Sequence, residues 1–252
     1  MPGFLVHLLF PFCSNHLSSL GLVLEDGRTF LFDASPDIRD QLLLLPKPEK
    51  GNVCSGIFIT HLHIGHYLGL LQLGKEAAAA NKLPVFVSVS VAEFLSANEP
   101  FKTLVNEHRI DLKIVCENQT VALSKEVSVK VISVKHRSEF SNTFGFIISG
   151  PSNKRLLYIP DADDWTFGVE QYLSKVDFAL LDGTFFSPHE LPNRNMSEVP
   201  HPLIEASMEQ LAEFREKIYF THLNHTNLVL RNPELVESKG FHVAKEGQTF
   251  LL

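Results

Sequence analysis

Cysteine is scarce in this chain: three in 252 residues, Cys13, Cys54 and Cys116, with no Cys-x-x-Cys pair among them. So sparse and odd a set excludes a disulfide framework and fits a reducing, cytoplasmic compartment. Runs of basic residues are missing too. The net charge is -7 and no block of Lys or Arg stands out, which excludes a general nucleic-acid grip by phosphate neutralisation. No apolar run reaches the roughly 20 residues of a membrane span. Residues 3–13 are apolar but lack a basic flank and are interrupted by His7 and Pro11, so they read as a first buried strand rather than a signal peptide. Low-complexity segments and short repeats are also lacking. What remains is a soluble chain, long enough for a substantial core, read as a single domain over residues 1–252. It suits a small-molecule substrate, and apolar positions of its N-terminal strand leave a homodimer open.

Hydrophobic patterning sets the frame. Residues 5–10, 17–24 and 28–32 read as strands, the last two joined by Glu25-Asp26-Gly27, whose Asp-Gly is a hairpin signal. Phe32-Asp33-Ala34-Ser35-Pro36 ends a strand and opens a helix, with Ser35 predicted as N-cap and Pro36 at the first helical position. Residues 84–88, 112–115, 127–134, 143–149, 155–159, 176–181 and 217–220 are predicted strands. Val127, Val129 and Val131 alternate with Ser128 and Lys130 as a half-buried strand requires. Helices are predicted over 67–80, 91–97, 101–107 and 202–216, the last an amphipathic stretch closed by Lys217. Residues 233–238 and 241–252 finish the chain, and the Pro-rich polar segment 187–200 has the length of a functional loop.

Chemistry gathers where strands end. Gly56-Ile57-Phe58-Ile59 reads as a buried strand, and Thr60-His61-Leu62-His63-Ile64-Gly65-His66 follows it, three histidines within six residues before a predicted helix. A strand-to-helix loop can aim several imidazoles at one point, and imidazole is the commonest neutral metal ligand near pH 7. Four further strand ends carry a histidine or an acid: His136 after Val134, Asp161 after Ile159, Asp182 after Leu181 and His222 after Phe220. Such placement lets a rigid sheet hold a metal site. Asp33, at another strand end, is read either as orienting a ligand histidine or as a turn and capping residue.

The histidine loop resembles the H-x-H-x-D-H signature of the metallo-β-lactamase superfamily, with Gly65 standing where that family has aspartate. The resemblance implies an α/β fold, a four-layer αββα sandwich. It implies a first metal at His61, His63 and His136, a second at His66 and His222, and Asp161 as the bridging carboxylate. Two close cations need anions, so Gly65 is expected to weaken the second position selectively, leaving one or two zinc ions. Asp163, Asp164 and His225 are candidates to compensate, and iron or manganese are the alternative metals. Asp182 in Leu-Asp-Gly-Thr-Phe and His201 in Val-Pro-His-Pro resemble the pair with which the superfamily's transfer RNA-processing endonucleases and phosphodiesterases protonate a leaving oxygen. Over the whole length the resemblance is closest to the pyrroloquinoline-quinone biosynthesis protein B branch. Ser18-Ser19, the segment Asp33-Ala34-Ser35-Pro36-Asp37-Ile38-Arg39, Leu181-Asp182-Gly183-Thr184-Phe185 and His222-Leu223-Asn224-His225-Thr226-Asn227 carry it.

The expectation is a metal-dependent hydrolase of a small phosphodiester or related ester, with His201, Asp182 and Asp161 as catalytic residues. Two alternatives stand beside it. His66, Asp161 and His222 make the two-histidine, one-carboxylate set of non-haem Fe(II) oxygenases, in keeping with the quinone-cofactor branch. The loss of the aspartate at Gly65 also leaves a non-catalytic, metal-stabilised binding protein.

Overall fold

Fourteen strands in two seven-stranded sheets carry the described residues of the computed structural model, which are 5–8, 19–46, 51–137, 139–190 and 199–252. Ser18 and most of the predicted loop 187–200 lie outside them. The described residues divide into two compact units. The first falls within Met1–Gln119, Ser138–Phe144 and Glu246–Leu251; the second within Thr120–Arg137 and Gly145–Lys245, with Leu252.

In the first unit the strands run β1 (Leu5–Leu8), β2 (Leu20–Val23), β3 (Thr29–Phe32), β4 (Gly56–Phe58), β5 (Leu83–Val87) and β6 (Ile110–Ile114). A C-terminal strand, β14 (Thr249–Leu251), returns to pair with β1, giving the order β14-β1-β2-β3-β4-β5-β6. The Asp-Gly hairpin makes β2 and β3 antiparallel, and β3 through β6 are parallel. Crossovers between its parallel strands are helical, as is usual for connections of this length. They are α1 (Ile38–Leu43), then α2 (Ile64–Tyr67) with a 3-10 segment Leu68–Leu73, then α3 (Val89–Ala97) and α4 (Phe101–Asn106). Ser88 caps α3 by accepting from the Val91 N–H at 3.3 Å. The apolar runs of β3 and β4 lack polar alternation because both their faces are buried. On one face Phe32, Phe58 and Phe86 stack at centroid distances of 4.9 and 4.3 Å. On the other, Leu31, Ile57 and Val85 join Ile38, Leu70 and Val91 in the core beneath the helices.

The second unit repeats the plan. Its strands are β7 (Thr120–Ala122), β8 (Ser128–Val134), β9 (Thr143–Ser149), β10 (Arg155–Ile159), β11 (Phe178–Asp182), β12 (Ile218–Thr221) and β13 (His242–Val243), ordered β13-β12-β11-β10-β9-β8-β7. β10 through β13 are parallel. The crossovers are α5 (Glu170–Leu173), α6 (Ile204–Gln210) with a 3-10 segment Ala212–Lys217, and α7 (Glu234–Glu237). Leu157, Ile159, Leu181 and Phe220 pack with Trp165, Leu173, Met208 and Val236. No described helix is long and apolar enough to cross a membrane.

Three predicted elements differ. The first helix begins at Ile38, not Pro36: Ser35 Oγ accepts from the Asp37 N–H at 3.1 Å, making a local turn instead of capping. The helix predicted over 67–80 is broken into α2, a 3-10 segment and turns. Its backbone is recruited by the loop after β3, where the Ala34 N–H donates to His66 O at 2.7 Å and the Gly69 N–H donates to Ala34 O at 2.8 Å. A Cβ on Gly69 would stand 2.1 Å from Ser35 O, so this approach needs glycine. The helix predicted over 202–216 tightens to 3-10 after the buried Leu211, and Lys217 Nζ then donates to the carbonyls of Leu173 and Val176 at 3.0 and 2.7 Å.

Candidate metal centre

Every sequence-predicted site residue lies in a loop following a strand, or at a strand's last residue, except His66, which lies in α2, and His201, which precedes α6. Carboxyl ends of parallel strands are where α/β sheets expose several loops to one place.

In the first unit, Asp33 follows β3 in a left-handed conformation, φ 65°. Ser19 Oγ lies 2.9 and 3.0 Å from the carbonyl oxygens of Phe32 and Asp33 and secures that turn. The Asp33 carboxylate then organises the histidine loop. Its Oδ2 sits 2.9 Å from His66 Nδ1, and its Oδ1 accepts from the Thr60 backbone N–H at 2.8 Å and the Thr60 hydroxyl at 2.9 Å. Having donated to Asp33, that hydroxyl can only accept from His61 Nδ1, 2.9 Å away. Both buried rings are thereby held with Nδ1 protonated, which leaves Nε2 as the nitrogen able to bind a metal. The three rings converge: His61 stands 4.5 Å from His63 and 4.3 Å from His66 between centroids. His63 is less buried, with Nε2 3.7 Å from Glu139 Oε2, and Ser141 Oγ accepts from the Leu62 N–H at 3.0 Å to pin the loop.

The second unit repeats the device. Asp182, the last residue of β11, is fully buried; its Oδ1 accepts from the Thr184 N–H at 2.9 Å and the Thr184 hydroxyl at 2.7 Å. Its Oδ2 accepts from the Ala162 N–H at 2.9 Å and from His201 Nδ1 at 2.8 Å. The Thr184 hydroxyl, having donated to Asp182, faces His222 Nδ1 at 3.0 Å as an acceptor. Asp161 Oδ1 lies 3.4 Å from His222 Nδ1 and 3.6 Å from His201 Nδ1. The ligand atoms of Asp161, Asp182 and His201 fall within 4.8 Å of one another, close enough to share an ion. His136 stands 5.4 Å from His201 between ring centroids and has Nδ1 3.1 Å from Asp163 Oδ1. Gly183 makes room for this corner: a Cβ there would come within 2.8 Å of Phe220 Cβ and 3.0 Å of Thr221 O. Asn227 closes it from below, donating from Nδ2 to the carbonyls of Gly183 and Thr184.

Electrostatics separate two of the unit's histidines. Burial pushes the pKa of His136 below its ordinary value, against the upward pull of Asp161, so the ring is neutral and ready to ligate. Burial acts the same way on His201, but the charge and hydrogen bond of Asp182, with Asp161 behind them, outweigh it despite the opposing Arg137, and the net shift is upward. His201 therefore holds its proton more strongly than a free imidazole.

Residues 28–223 match the model of the Beta-lactamase superfamily domain. The chain belongs to the beta-lactamase superfamily. Coenzyme PQQ synthesis protein B of Methylobacterium sp. (strain 4-46) is 28% identical over 262 residues, covering 91% of this chain and 86% of that protein. Among solved structures, Zn(2+)-bound PqqB from Methylobacterium extorquens has a TM-score of 0.82 at 21% identity, covering 98% of this chain and 100% of that one. A diphosphatase from the PhnP family has a TM-score of 0.73 at 17% identity, covering 100% and 98%. The expected fold class, metallo-β-lactamase-type α/β, and the likeness to the quinone-biosynthesis B proteins both stand on these similarities.

Within the superfamily pattern, Gly65 is a buried residue of α2. Of the residues expected to compensate for it, Asp163 is already engaged by His136 and by the Arg137 N–H at 3.1 Å. Asp164 pairs at the surface with Lys135 Nζ at 2.6 Å, and His225 is exposed. Residues whose roles sequence reasoning missed are Thr60 and Thr184, each of which orients a histidine through Nδ1; Asp163, expected as a compensating ligand, lies against His136 instead. The only trace the two threonines leave in the sequence is a hydroxyl close to a predicted site residue, which is also what ordinary turns contain.

Proposed function

We propose that this chain is a metal-dependent hydrolase acting on a small phosphodiester or related ester. The observation that carries the reading is the His201–Asp182 pair: Nδ1 tied at 2.8 Å to a buried carboxylate, with the ring's proton affinity raised. An imidazole so held presents its other N–H, at Nε2, as a general acid for a departing oxygen near neutral pH. Asp182 orients that acid, and Asp161 adds negative charge that favours its protonated form.

The donor chemistry of both units fits a borderline divalent ion such as zinc, since imidazole and carboxylate are the ligand types it takes. In this reading His61, His63 and His136 hold a first ion, and His66, His222 and Asp161 hold or partly hold a second. The assignment across the two units rests on superfamily membership and on the order of ligands along the chain. A metal so held supplies Lewis acidity and a water activated near neutral pH. Asp33 and Thr60 fix the His61 and His66 rings and Thr184 fixes His222, so those ligand nitrogens are set before an ion arrives.

The test is metal content per chain, measured on protein purified without added metal, together with turnover of bis(p-nitrophenyl) phosphate. His63→Ala is expected to lose both metal and turnover. An undiminished rate from metal-free protein overturns the assignment. A second reading draws on the relatives named for coenzyme PQQ synthesis: iron held by His66, Asp161 and His222 in an oxygenase. Iron in the purified protein and strictly oxygen-dependent turnover would favour it, and stabilisation by metal with no turnover of any substrate would favour a binding protein instead.

A further inference from the structure

Arg137 is the residue next to His136, and its backbone is fixed in the same hydrogen-bonded corner. The Arg137 N–H donates to Asp163 Oδ1 at 3.1 Å, the oxygen that also lies 3.1 Å from His136 Nδ1. Its side chain is half-buried, and its Nε, which is fully buried, has no hydrogen-bond partner among the described residues. Buried donors are almost always satisfied, so such a nitrogen calls for an explanation. The carboxylates of this corner do not supply one. Asp161 faces His201 and His222, Asp163 faces His136, Asp182 faces His201, and none of these ion pairs includes Arg137.

Resting on the hydrolase reading above, we propose that Arg137 is the anion-recognising residue of the site and makes it favour substrates carrying a negative charge at the reacting group. A guanidinium presents its N–H donors as a planar fork that matches two oxygens sharing one charge. A phosphodiester monoanion has that geometry in its two non-bridging oxygens. A neutral carboxylic ester offers a single uncharged carbonyl. Binding the anion gives Nε the acceptor it lacks among the described residues.

The experiment compares wild type, Arg137→Met and Arg137→Lys, all as purified, with two readouts. In the first, inorganic phosphate is added in a thermal melt. The wild type is expected to gain several degrees at saturating phosphate, Arg137→Met little or nothing, and Arg137→Lys an intermediate amount because it keeps the charge without the fork. In the second, KM is measured for bis(p-nitrophenyl) phosphate and for the neutral p-nitrophenyl acetate. Arg137→Met is expected to raise KM for the anionic diester about 10- to 100-fold, the loss of a charge-assisted contact, while the acetate stays within about twofold. Equal phosphate stabilisation of wild type and Arg137→Met, no phosphate stabilisation of the wild type, or equal KM changes for both esters would each overturn the role of Arg137. Phosphate stabilisation that depends on Arg137 in a protein without turnover of either ester leaves the anion site standing and removes the hydrolase reading. Arg137→Lys, which preserves the charge, separates loss of recognition from loss of folding.

Discussion

Replacing Asp182 by asparagine changes one atom and tests how the second unit's corner is held. The carboxylate accepts from four donors: the Thr184 N–H, the Thr184 hydroxyl, the Ala162 N–H and His201 Nδ1. An asparagine has one acceptor oxygen, and neither placement of it serves all four. With the amide oxygen toward Thr184, the new NH2 faces the Ala162 N–H and His201; with the amide reversed, it faces the Thr184 N–H. A buried N–H left against another donor costs about 1–3 kcal/mol, and the lost hydrogen bond between ionised partners about 1.5–3 kcal/mol. The sum is about 2.5–6 kcal/mol, which for a chain of this size lowers Tm by roughly 5–24 °C. Calorimetry on wild type and Asp182→Asn reads this directly, with Asp26→Asn as a control at an exposed pair with Arg28, where less than about 0.5 kcal/mol is expected. A Tm for Asp182→Asn within 2 °C of wild type would refute the hydrogen-bond accounting given for this corner.

Thr184→Val should weaken zinc binding about 10- to 100-fold in a chelator competition, with recovery in Thr184→Ser, because the hydroxyl that sets the His222 ring is removed and then restored; equal affinities for all three proteins would show that the hydroxyl does not orient the ligand. Gly65→Asp is expected to raise the metal count per chain by elemental analysis, and an unchanged count would mean that the second position is limited by something other than the missing carboxylate. Gly69→Ala forces a methyl to within 2.1 Å of Ser35 O, so a loss of about 3 kcal/mol or more in urea titration is expected, and a neutral result would contradict the close approach of these loops. Burial pushes the Cys54 thiol up to about 12, so at pH 8 in native protein Cys116 should react with a thiol reagent and Cys54 should not, as peptide mapping will show.

Much of the frame was legible because it is written locally. An unbroken apolar run marked β4 as a buried strand, Asp-Gly marked the β2–β3 hairpin, and the strand-histidine-helix order picked out His61, His63 and His66. What failed was set by contacts distant in sequence. The helix predicted over 67–80 has adequate periodicity, but Ala34 takes its first turn by hydrogen bonds that no local pattern announces. β7 is a short strand with no buried residue, and apolar periodicity has nothing to detect there. The roles of Thr60 and Thr184 depend on how one hydroxyl is shared between an acid and a ring. Arg137 left no signal at all, since an arginine in sequence gives no sign of whether an acid awaits it.

The pairing of β14 with β1 bears on how the chain comes off the ribosome. Leu5, Val6 and His7 align with Leu251, Phe250 and Thr249, so the sheet of the first unit gains its outermost strand only after the second unit has been synthesised through Lys245. Until then β1 presents an open edge, the kind of surface on which nascent chains pair wrongly with one another. The contact also joins residues at the greatest separation the topology allows, and such closures are slow. A nick just before Thr249 would reopen that edge without removing any histidine or acid of the metal centre. Proteolytic trimming is therefore expected to show first as aggregation, while metal binding in the surviving soluble fraction persists.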